Sequence, residues 1–240
     1  MTILRVGMLT PSSNTVLEPV TAAMVSTLED VTVHFSRFTV TEISLGDKAL
    51  GQFDARPMLN AAHLLSHAKA DVISWNGTSA SWIGLESDRR LIELIQGETG
   101  IRATTTVISL MEALAAMGAK TYGLVTPYTE DVQNRIVNNF NKHCLHCVSE
   151  VHFDLKDNFS FGVVGSDRIA EGVRHVATKK PDAIVILCTN LSGASIASEL
   201  ELETGVPILD SVSVTVWGAL RALGRSTQLL ERWGPTLARL

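Results

Sequence analysis

Short, mostly apolar segments recur along the chain, and small polar residues follow several of them. These segments are Arg5–Leu9, Asp71–Trp75, Tyr122–Val125, Asp182–Leu187 and Pro207–Leu209. Continuous apolar runs of this length are typical of strands that are buried on both faces of a sheet. Val31–Phe38 alternates between apolar and polar residues, and we expect it and Val148–Leu155 to be strands as well.

Between the predicted strands, apolar residues return at the spacing of one helix face. We expect helices over residues 16–24, 58–70, 86–96, 108–117, 130–141, 167–178, 196–203 and 212–223. Residues 39–54 are expected to form a long loop, and residues 226–240 a terminal helix that packs on the core or on a partner subunit of a homo-oligomer. Strands that alternate with helices predict an α/β fold with a mostly parallel sheet.

One segment of the chain occurs twice. Asp71–Ser81 reads D-V-I-S-W-N-G-T-S-A-S, and Asp182–Ser192 reads D-A-I-V-I-L-C-T-N-L-S. This alignment places Gly77 on Cys188 and Thr78 on Thr189. Only the second copy therefore carries a thiol at this position.

Two further matches keep the same order along the chain. G-M-L-T-P at residues 7–11 matches G-L-V-T-P at residues 123–127, and T-G-I at residues 99–101 matches T-G-V at residues 204–206. Three matches in order indicate an internal duplication. We expect two pseudo-symmetric, Rossmann-like halves, residues 1–115 and 116–225, with equivalent loops that converge on one site in the cleft between them.

Composition narrows the class of protein. The chain has 240 residues, of which 45% are hydrophobic, enough to fill the cores of two such halves. A net charge of −5 without a basic run argues against nucleic acid as a partner. No apolar run is long enough to span a membrane and no secretion signal is evident, so we expect a cytoplasmic protein. Three cysteines are too few for a disulfide framework, so we expect reduced thiols.

Cys188 is the leading candidate for the reactive group. It lies where a buried strand ends, and ligands of open α/β sheets bind outside the carboxyl ends of the strands. A thiol can act as a general acid, and its thiolate as a base or nucleophile. The alternative is that Cys188 is a small buried apolar residue, as free cysteines often are.

The expected neighbours of Cys188 are small polar groups that can hold a carboxylate or an enediolate by oriented hydrogen bonds. The candidate substrate-binding residues are Pro11, Ser12, Asn14, Gly77, Thr78, Ser79, Tyr128, Asn158, Thr189 and Asn190. The turn at residues 10–14 opens a helix, so its polar residues either bind an anion or only cap that helix.

No metal or cofactor is expected. His63 and His67 lie four residues apart on a predicted helix, but no third ligand is evident. H-C-L-H-C at His143–Cys147 lacks a second ligand pair and follows a helix, whereas redox C-x-x-C motifs begin one. We interpret Cys144 and Cys147 as half-buried boundary residues. The phosphate-binding glycine motifs and the G-x-S-x-G elbow of serine hydrolases are also absent from the sequence.

At these residues the chain resembles the aspartate/glutamate racemase superfamily, over about residues 5–224. The resemblance implies two pseudo-symmetric α/β halves with a cleft between them. P-S-S-N-T at Pro11–Thr15 is similar to the maleate cis–trans isomerase branch. By that resemblance, Asn14, Tyr128 and Asn158 occupy positions that hold substrate carboxylates.

Gly77 departs from the two-cysteine pattern of racemases and maleate isomerases. Arylmalonate decarboxylases resemble this chain here, with G-T-S at Gly77–Ser79 and one cysteine at the position of Cys188. The resemblance implies that one carboxylate leaves as carbon dioxide, that Thr78, Ser79 and Tyr128 hold the enediolate, and that Cys188 protonates one face.

The sequence therefore predicts a cofactor-independent decarboxylase of a small malonate-type diacid. The polar turn at residues 11–15 and the C-T-N-L-S-G loop at Cys188 differ from an arylmalonate decarboxylase and favour a smaller, more polar substrate. One alternative is an isomerase in which Cys188 adds to a maleate-like double bond. Another is a carboxylate-binding protein without catalytic activity.

Overall fold

A computed structural model describes residues 3–240 of the chain. The first half contains β1 Leu4–Pro11, α1 Leu17–Val25, β2 Val31–Phe38, α2 Asp47–Leu50, a 3-10 helix Gly51–Phe53, α3 Ala55–His67, β3 Val72–Trp75, α4 Ala80–Ile83, α5 Leu85–Thr99, β4 Arg102–Thr105 and α6 Thr106–Ala116. The second half contains β5 Thr121–Thr126, α7 Glu130–Asn141, β6 His146–His152, α8 Asn158–Phe161, α9 Ser166–Ala177, β7 Ala183–Ile186, α10 Ala194–Thr204, β8 Ile208–Asp210 and α11 Ser211–Ala222. A 3-10 helix Gln228–Trp233 and α12 Pro235–Ala238 follow α11.

The strands form two four-stranded sheets in which every pairing is parallel. The strand orders are β2-β1-β3-β4 and β6-β5-β7-β8, so the two sheets have the same topology. This confirms the predicted fold of two pseudo-symmetric α/β halves. The exact division at residues 115 and 116 stays a prediction.

Both sheets are covered by helices, which explains the continuous apolar strands. All four residues of β3 and all four residues of β7 are buried. Parallel strands that are buried on both faces need apolar side chains at every position. β6 lies at a sheet edge, and its exposed and half-exposed residues alternate accordingly.

Close contacts between helices fix the two halves against each other. A Cβ atom built on Gly218 of α11 would lie 2.0 Å from the Oγ atom of Ser109 on α6, so only glycine allows this approach. The hydroxyl groups of Thr106 and Thr215 lie 2.6 Å apart across the same interface. This packing brings the carboxyl ends of β3 and β7 to one cleft.

Two predicted segments differ from the structure. The expected terminal helix over residues 226–240 is wrong, because Gly234, with φ 157°, and Pro235 divide the segment into two short helices. Leu230 and Leu237 of this segment are fully buried, so it packs on its own chain. The predicted loop at residues 39–54 contains α2 and a 3-10 helix.

No helix among residues 3–240 is both long and apolar enough to cross a membrane.

Candidate active site

Cys188 lies two residues beyond β7, in the cleft between the halves. Its side chain is buried, with 3% of the residue exposed. The backbone N–H group of Asn190 donates a hydrogen bond to the Cys188 Sγ atom over 3.3 Å, and the N–H group of Leu191 donates to the Cys188 carbonyl. This turn orients the thiol toward Gly77 and Tyr128, and all three line one small cavity.

The thiol of Cys188 is held in its protonated form. Burial and, to a smaller extent, the charge of Asp210 raise the pKa of the Cys188 thiol to about 12. The Asn190 N–H group and the Tyr128 hydroxyl group oppose this rise in part. Because the folded protein disfavours the thiolate, the site presents a proton donor at neutral pH.

Tyr128 links the two halves across the cleft. Its hydroxyl oxygen lies 2.7 Å from the Thr78 Oγ1 atom, and its ring packs edge-on against Trp82 and Phe161. Burial and the neighbouring Cys188 raise the pKa of Tyr128 well above its usual value. The phenol is therefore a neutral hydrogen-bond donor, fixed in place by the rings around it.

An indole ring occupies the space above Gly77. A Cβ atom built on Gly77 would lie 2.2 Å from the Cζ2 atom of Trp75. The Trp75 side chain is buried and packs against the ring of Phe38, with 5.2 Å between the ring centroids. The cleft thus has a thiol on the side of the second half and an aromatic ring on the side of the first.

The cavity at Cys188 has a volume of about 20 Å³. Its lining contains the sequence-predicted residues Pro11, Gly77, Thr78, Ser79, Tyr128, Asn158, Cys188 and Thr189. This volume has room for about one water molecule, so a dicarboxylic acid can enter only when part of the wall moves.

Three of the predicted substrate-binding residues lie behind the cavity wall. The Asn14 Oδ1 atom accepts hydrogen bonds from the N–H groups of Val16 and Leu17, which caps α1, and the Asn14 Nδ2 atom donates to Thr189. Ser12 hydrogen bonds to the backbone of Val40.

Asn190 also lies behind the wall and connects the two halves. It accepts a hydrogen bond from the N–H group of Thr15 over 2.9 Å and donates one to the carbonyl group of Asn158. Asn14, Ser12 and Asn190 thus position wall residues in this structure, and their contact with substrate stays a prediction.

The apolar part of the wall was not predicted from the sequence. It consists of Val40, Ile43, Phe53, Trp75 and Trp82. The first three belong to residues 39–54, and the apolar residues of that segment were the only sequence signal for such a wall. The polar turn at residues 11–15 contributes only Pro11, so the cavity is less polar than the sequence suggested.

Residues 39–54 cross the mouth of the cavity and are attached to the second half. The N–H group of Ile43 donates to the carbonyl group of Lys156 over 2.9 Å, and the N–H group of Asn158 donates to the carbonyl group of Thr41 over 2.9 Å. Glu42 and Asp157 form an antiparallel bridge between these bonds. We call residues 39–54 the bridging loop.

The remaining cysteines and histidines lie away from the cavity. Cys147 is half-buried on β6, where its Sγ atom donates to the carbonyl group of Ser149, but Cys144 is exposed rather than half-buried. The His63 Nε2 atom hydrogen bonds to Glu98 at the surface. Within residues 3–240 there is no group of three or more His, Cys, Asp or Glu side chains placed to hold a metal ion.

Asp210 is a buried carboxyl group near the thiol that sequence reasoning missed. It ends β8 and caps α11, where its Oδ1 atom accepts hydrogen bonds from the N–H groups of Val212 and Ser213. Its Oδ2 atom is buried without a hydrogen-bond partner. Burial raises the pKa of Asp210 to about 7, although the two N–H groups oppose the rise.

We expect the free energy of unfolding to fall as the pH rises from about 4 to about 7. Burial raises the pKa values of Asp88 and Asp210 to about 7, whereas an unfolded chain gives about 3.9. Within this window the folded state binds more protons than the unfolded state, so stability declines and levels off above it. Urea unfolding midpoints at pH 5.5 and pH 8 measure the difference.

The Asp88→Asn variant should show a smaller difference between the two midpoints. Asp182→Asn is the matched control, because backbone N–H groups of Lys120 and Thr121 lower the pKa of Asp182, which is then ionised at both pH values. A wild-type midpoint that rises between pH 5.5 and pH 8 would contradict this expectation.

The fold and the cleft together define a duplicated α/β enzyme in which one buried thiol faces hydroxyl donors. A sequence model of the arylmalonate decarboxylase family matches residues 36–231, and the chain belongs to this family. The expected place within the aspartate/glutamate racemase superfamily is thereby confirmed.

Similar proteins include both chemistries of this branch. The chain is 23% identical to the maleate isomerase of Geobacillus stearothermophilus over 240 residues, 93% of each chain. It is 25% identical to the arylmalonate decarboxylase of Bordetella bronchiseptica over 210 residues, which cover 82% of this chain and 84% of that one.

A solved structure shares the fold over nearly the whole chain. It is a mutant of the Nocardia farcinica maleate cis–trans isomerase with a covalently bound succinylcysteine intermediate. Its TM-score is 0.89 at 21% identity, with 99% of each chain covered.

Proposed function

We propose that the protein is a cofactor-independent decarboxylase of a small malonate-type dicarboxylic acid, with Cys188 as the only proton donor at the reacting carbon. The observation that carries this proposal is the pair formed by Gly77 and Trp75. The indole ring takes the space that a second thiol would need, 2.2 Å from a Cβ atom on Gly77. Proton transfer from one side is the chemistry that such a cleft supports.

The proposed reaction has two steps. The bond between the α-carbon and one carboxylate breaks, carbon dioxide leaves, and the electron pair delocalises into the other carboxylate as an enediolate. The hydroxyl groups of Thr78, Ser79 and Tyr128 donate hydrogen bonds to its oxygens. The Cys188 S–H group then donates its proton to the α-carbon, and water reprotonates the thiolate.

The raised pKa of Cys188 suits this reaction better than nucleophilic addition. An isomerase that adds Cys188 to a double bond needs a thiolate, and a pKa of about 12 leaves little thiolate at neutral pH. After protonation of the enediolate, the same high pKa favours recovery of the thiol. Maleate isomerisation is the second candidate function, because several of the similar proteins are maleate isomerases.

The cavity wall favours an acid with a small apolar substituent. Val40, Ile43 and Phe53 offer no hydrogen-bond donor from their side chains, whereas the donors lie together at Thr78 and Tyr128. A carboxylate would bind to the donors, and an apolar α-substituent would lie against the bridging loop.

Proton NMR in deuterated water tests the proposed function. The enzyme is presented separately with methylmalonate, phenylmalonate, maleate and both enantiomers of aspartate and glutamate. We expect a malonate to lose carbon dioxide and to gain one deuterium at the α-carbon, with a single product enantiomer. Fumarate formed from maleate would instead assign the protein to isomerisation, and no change in any substrate would favour a carboxylate-binding protein.

The Tyr128→Phe variant should lower kcat about 10²-fold, because it removes one donor to the enediolate. It also leaves Thr78 without its partner, which we expect to cost about 1 kcal/mol of stability. Steady-state kinetics and urea unfolding measure the two effects. An unchanged kcat would exclude Tyr128 from the donor set.

A further inference from the structure

A second, larger cavity adjoins the one that contains Cys188. Its volume is about 400 Å³, within the range of small-molecule sites. The two cavities share the wall residues Phe53, Trp75, Ser79 and Trp82. Most of the remaining wall is apolar and comes from the bridging loop, α3 and α5, including Leu45, Leu50, Met58, Leu91 and Leu94.

Asp88 is the buried charged residue of this wall. Only 2% of its surface is exposed, and its Oδ2 atom has no hydrogen-bond partner. Asp88 stands in the first turn of α5, where the helix dipole favours a negative charge, but no side chain caps that helix. The Thr105 side chain hydrogen bonds to the Asp88 carboxyl group, so the group is only partly satisfied. A buried carboxyl oxygen without a partner is costly unless a ligand satisfies it.

Two further unpartnered polar atoms belong to the same wall. The Nε1 atoms of Trp75 and Trp82 are buried without hydrogen-bond partners. Unsatisfied buried polar groups are uncommon in native proteins, and these three belong to residues that line this one cavity. Among these three groups only Asp88 can carry charge, so it determines which ligands are preferred.

The other charged residues of the wall lie at its solvent-exposed rim. Arg90 is exposed and pairs with Glu93, with 3.2 Å between the Nη1 and Oε2 atoms. Asp54 and Arg135 are exposed as well. Exposed charges are hydrated and add little selectivity, whereas a buried carboxylate attracts a cation strongly.

We propose that this cavity is a second ligand site, which takes an apolar molecule that carries a primary amine. The ammonium group donates hydrogen bonds to Asp88, and the apolar body packs against the leucines and the two indole rings. The site differs from the cavity at Cys188 in the charge that it prefers, because Asp88 lines only the larger cavity, whereas the hydroxyl donors Thr78 and Tyr128 line only the smaller one.

Three probes with one skeleton test the charge preference: 4-phenylbutylamine, 4-phenyl-1-butanol and 4-phenylbutyrate. Isothermal titration calorimetry on the whole protein at pH 7.5 gives the affinities. The Leu94→Trp variant described below reports the location, because Leu94 lines only the larger cavity. We expect the amine to bind at least tenfold more tightly than the alcohol, and the acid to bind most weakly.

The Asp88→Asn variant should lower the affinity for the amine at least tenfold and change the affinity for the alcohol by less than twofold. Asp54→Asn is the matched control, since Asp54 is an exposed carboxylate on the same wall and its loss should change the affinity for the amine less than threefold. Leu94 is half-buried in the cavity wall, and in Leu94→Trp the larger side chain should fill part of the cavity. This variant should lower the affinities for the amine and the alcohol together, and it tests the site even if Asp88→Asn fails to fold.

Several results would overturn the proposal. Equal affinity for the amine and the alcohol, or tightest binding of the acid, would show that Asp88 does not select the ligand. If Asp54→Asn lowered the affinity for the amine as much as Asp88→Asn, the preference for the amine would come from general surface charge and not from Asp88. Absence of binding by all three probes at millimolar concentration would show that the cavity is not a site for this class of ligand.

Discussion

Replacement of Cys188 by alanine should lower kcat for decarboxylation by about 10²–10⁴-fold, the usual contribution of a general acid. The affinity for a substrate analogue should change little, because the hydroxyl groups of Thr78 and Tyr128, which donate hydrogen bonds to the carboxylate, remain in place. Steady-state kinetics and calorimetry with a non-reactive diacid measure the two quantities. Loss of turnover with binding retained is the signature of a residue that acts on the reacting carbon.

Cys147→Ala is the matched control for Cys188→Ala. Cys147 is a half-buried thiol on β6, away from the cavity, and its removal should leave kcat unchanged. Cys188→Ser offers a second test, because a hydroxyl group is a much poorer acid than a thiol of similar size. Turnover within threefold of the wild type in both Cys188 variants would refute the assigned role.

Substitution of Gly77 by cysteine should destabilise the protein rather than complete a two-thiol site. The new side chain would meet the Trp75 indole, which is buried and packed against Phe38 and has little freedom to move. Overpacking of this kind costs about 1–3 kcal/mol, so the urea midpoint should fall. We also expect at least a tenfold loss of kcat, since a displaced indole would enter the small cavity at Cys188.

A second substitution should relieve this conflict. In the double variant Trp75→Leu with Gly77→Cys, the smaller leucine leaves space for the new thiol. The double variant should therefore be more stable than Trp75→Leu alone, because the thiol fills part of the space that the indole ring leaves. Two thiols on opposite faces of the α-carbon would allow protonation from either side, so the product should lose its single handedness. Chiral chromatography of the product measures this.

Gly97→Cys is the control for glycine replacement, because nothing lies within 4 Å of a Cβ atom at Gly97. It should keep both stability and product handedness. If Gly77→Cys alone were as stable as Gly97→Cys, the indole would be mobile, and the argument for a single-thiol site would fail.

The duplicated fold could be predicted because it depends on local sequence patterns. Apolar strands and the paired segments Asp71–Ser81 and Asp182–Ser192 are visible without coordinates, and so is the alignment of Gly77 with Cys188. The position of the Trp75 ring could not be predicted. The repeat aligns Trp75 with Ile186 in a buried strand, and only the folded chain shows that the ring reaches over Gly77.

The roles of the polar residues were also ambiguous in the sequence. The sequence pattern at Asn14, at the start of a helix, is the same for a residue that caps the helix and for one that binds an anion. In the structure Asn14 caps α1 and contacts Thr189. Asp88 and Asp210 gave no signal, because their burial depends on how helices and strands from distant parts of the chain pack. Gly234 and Pro235 are residues that interrupt helices, but the helical spacing of the apolar residues around them predicted one continuous helix.

The attachment of the bridging loop to both halves sets a limit on the speed of turnover. We expect substrate entry and product release to require opening of the hydrogen bonds from Ile43 to Lys156 and from Asn158 to Thr41, because the loop crosses the mouth of the cavity. Loop openings of this kind take microseconds to milliseconds and often control the slowest step of an enzyme. Acids whose spontaneous rates of decarboxylation differ widely should then converge on one common maximal rate, set by the passage through this gate and not by the chemistry behind it.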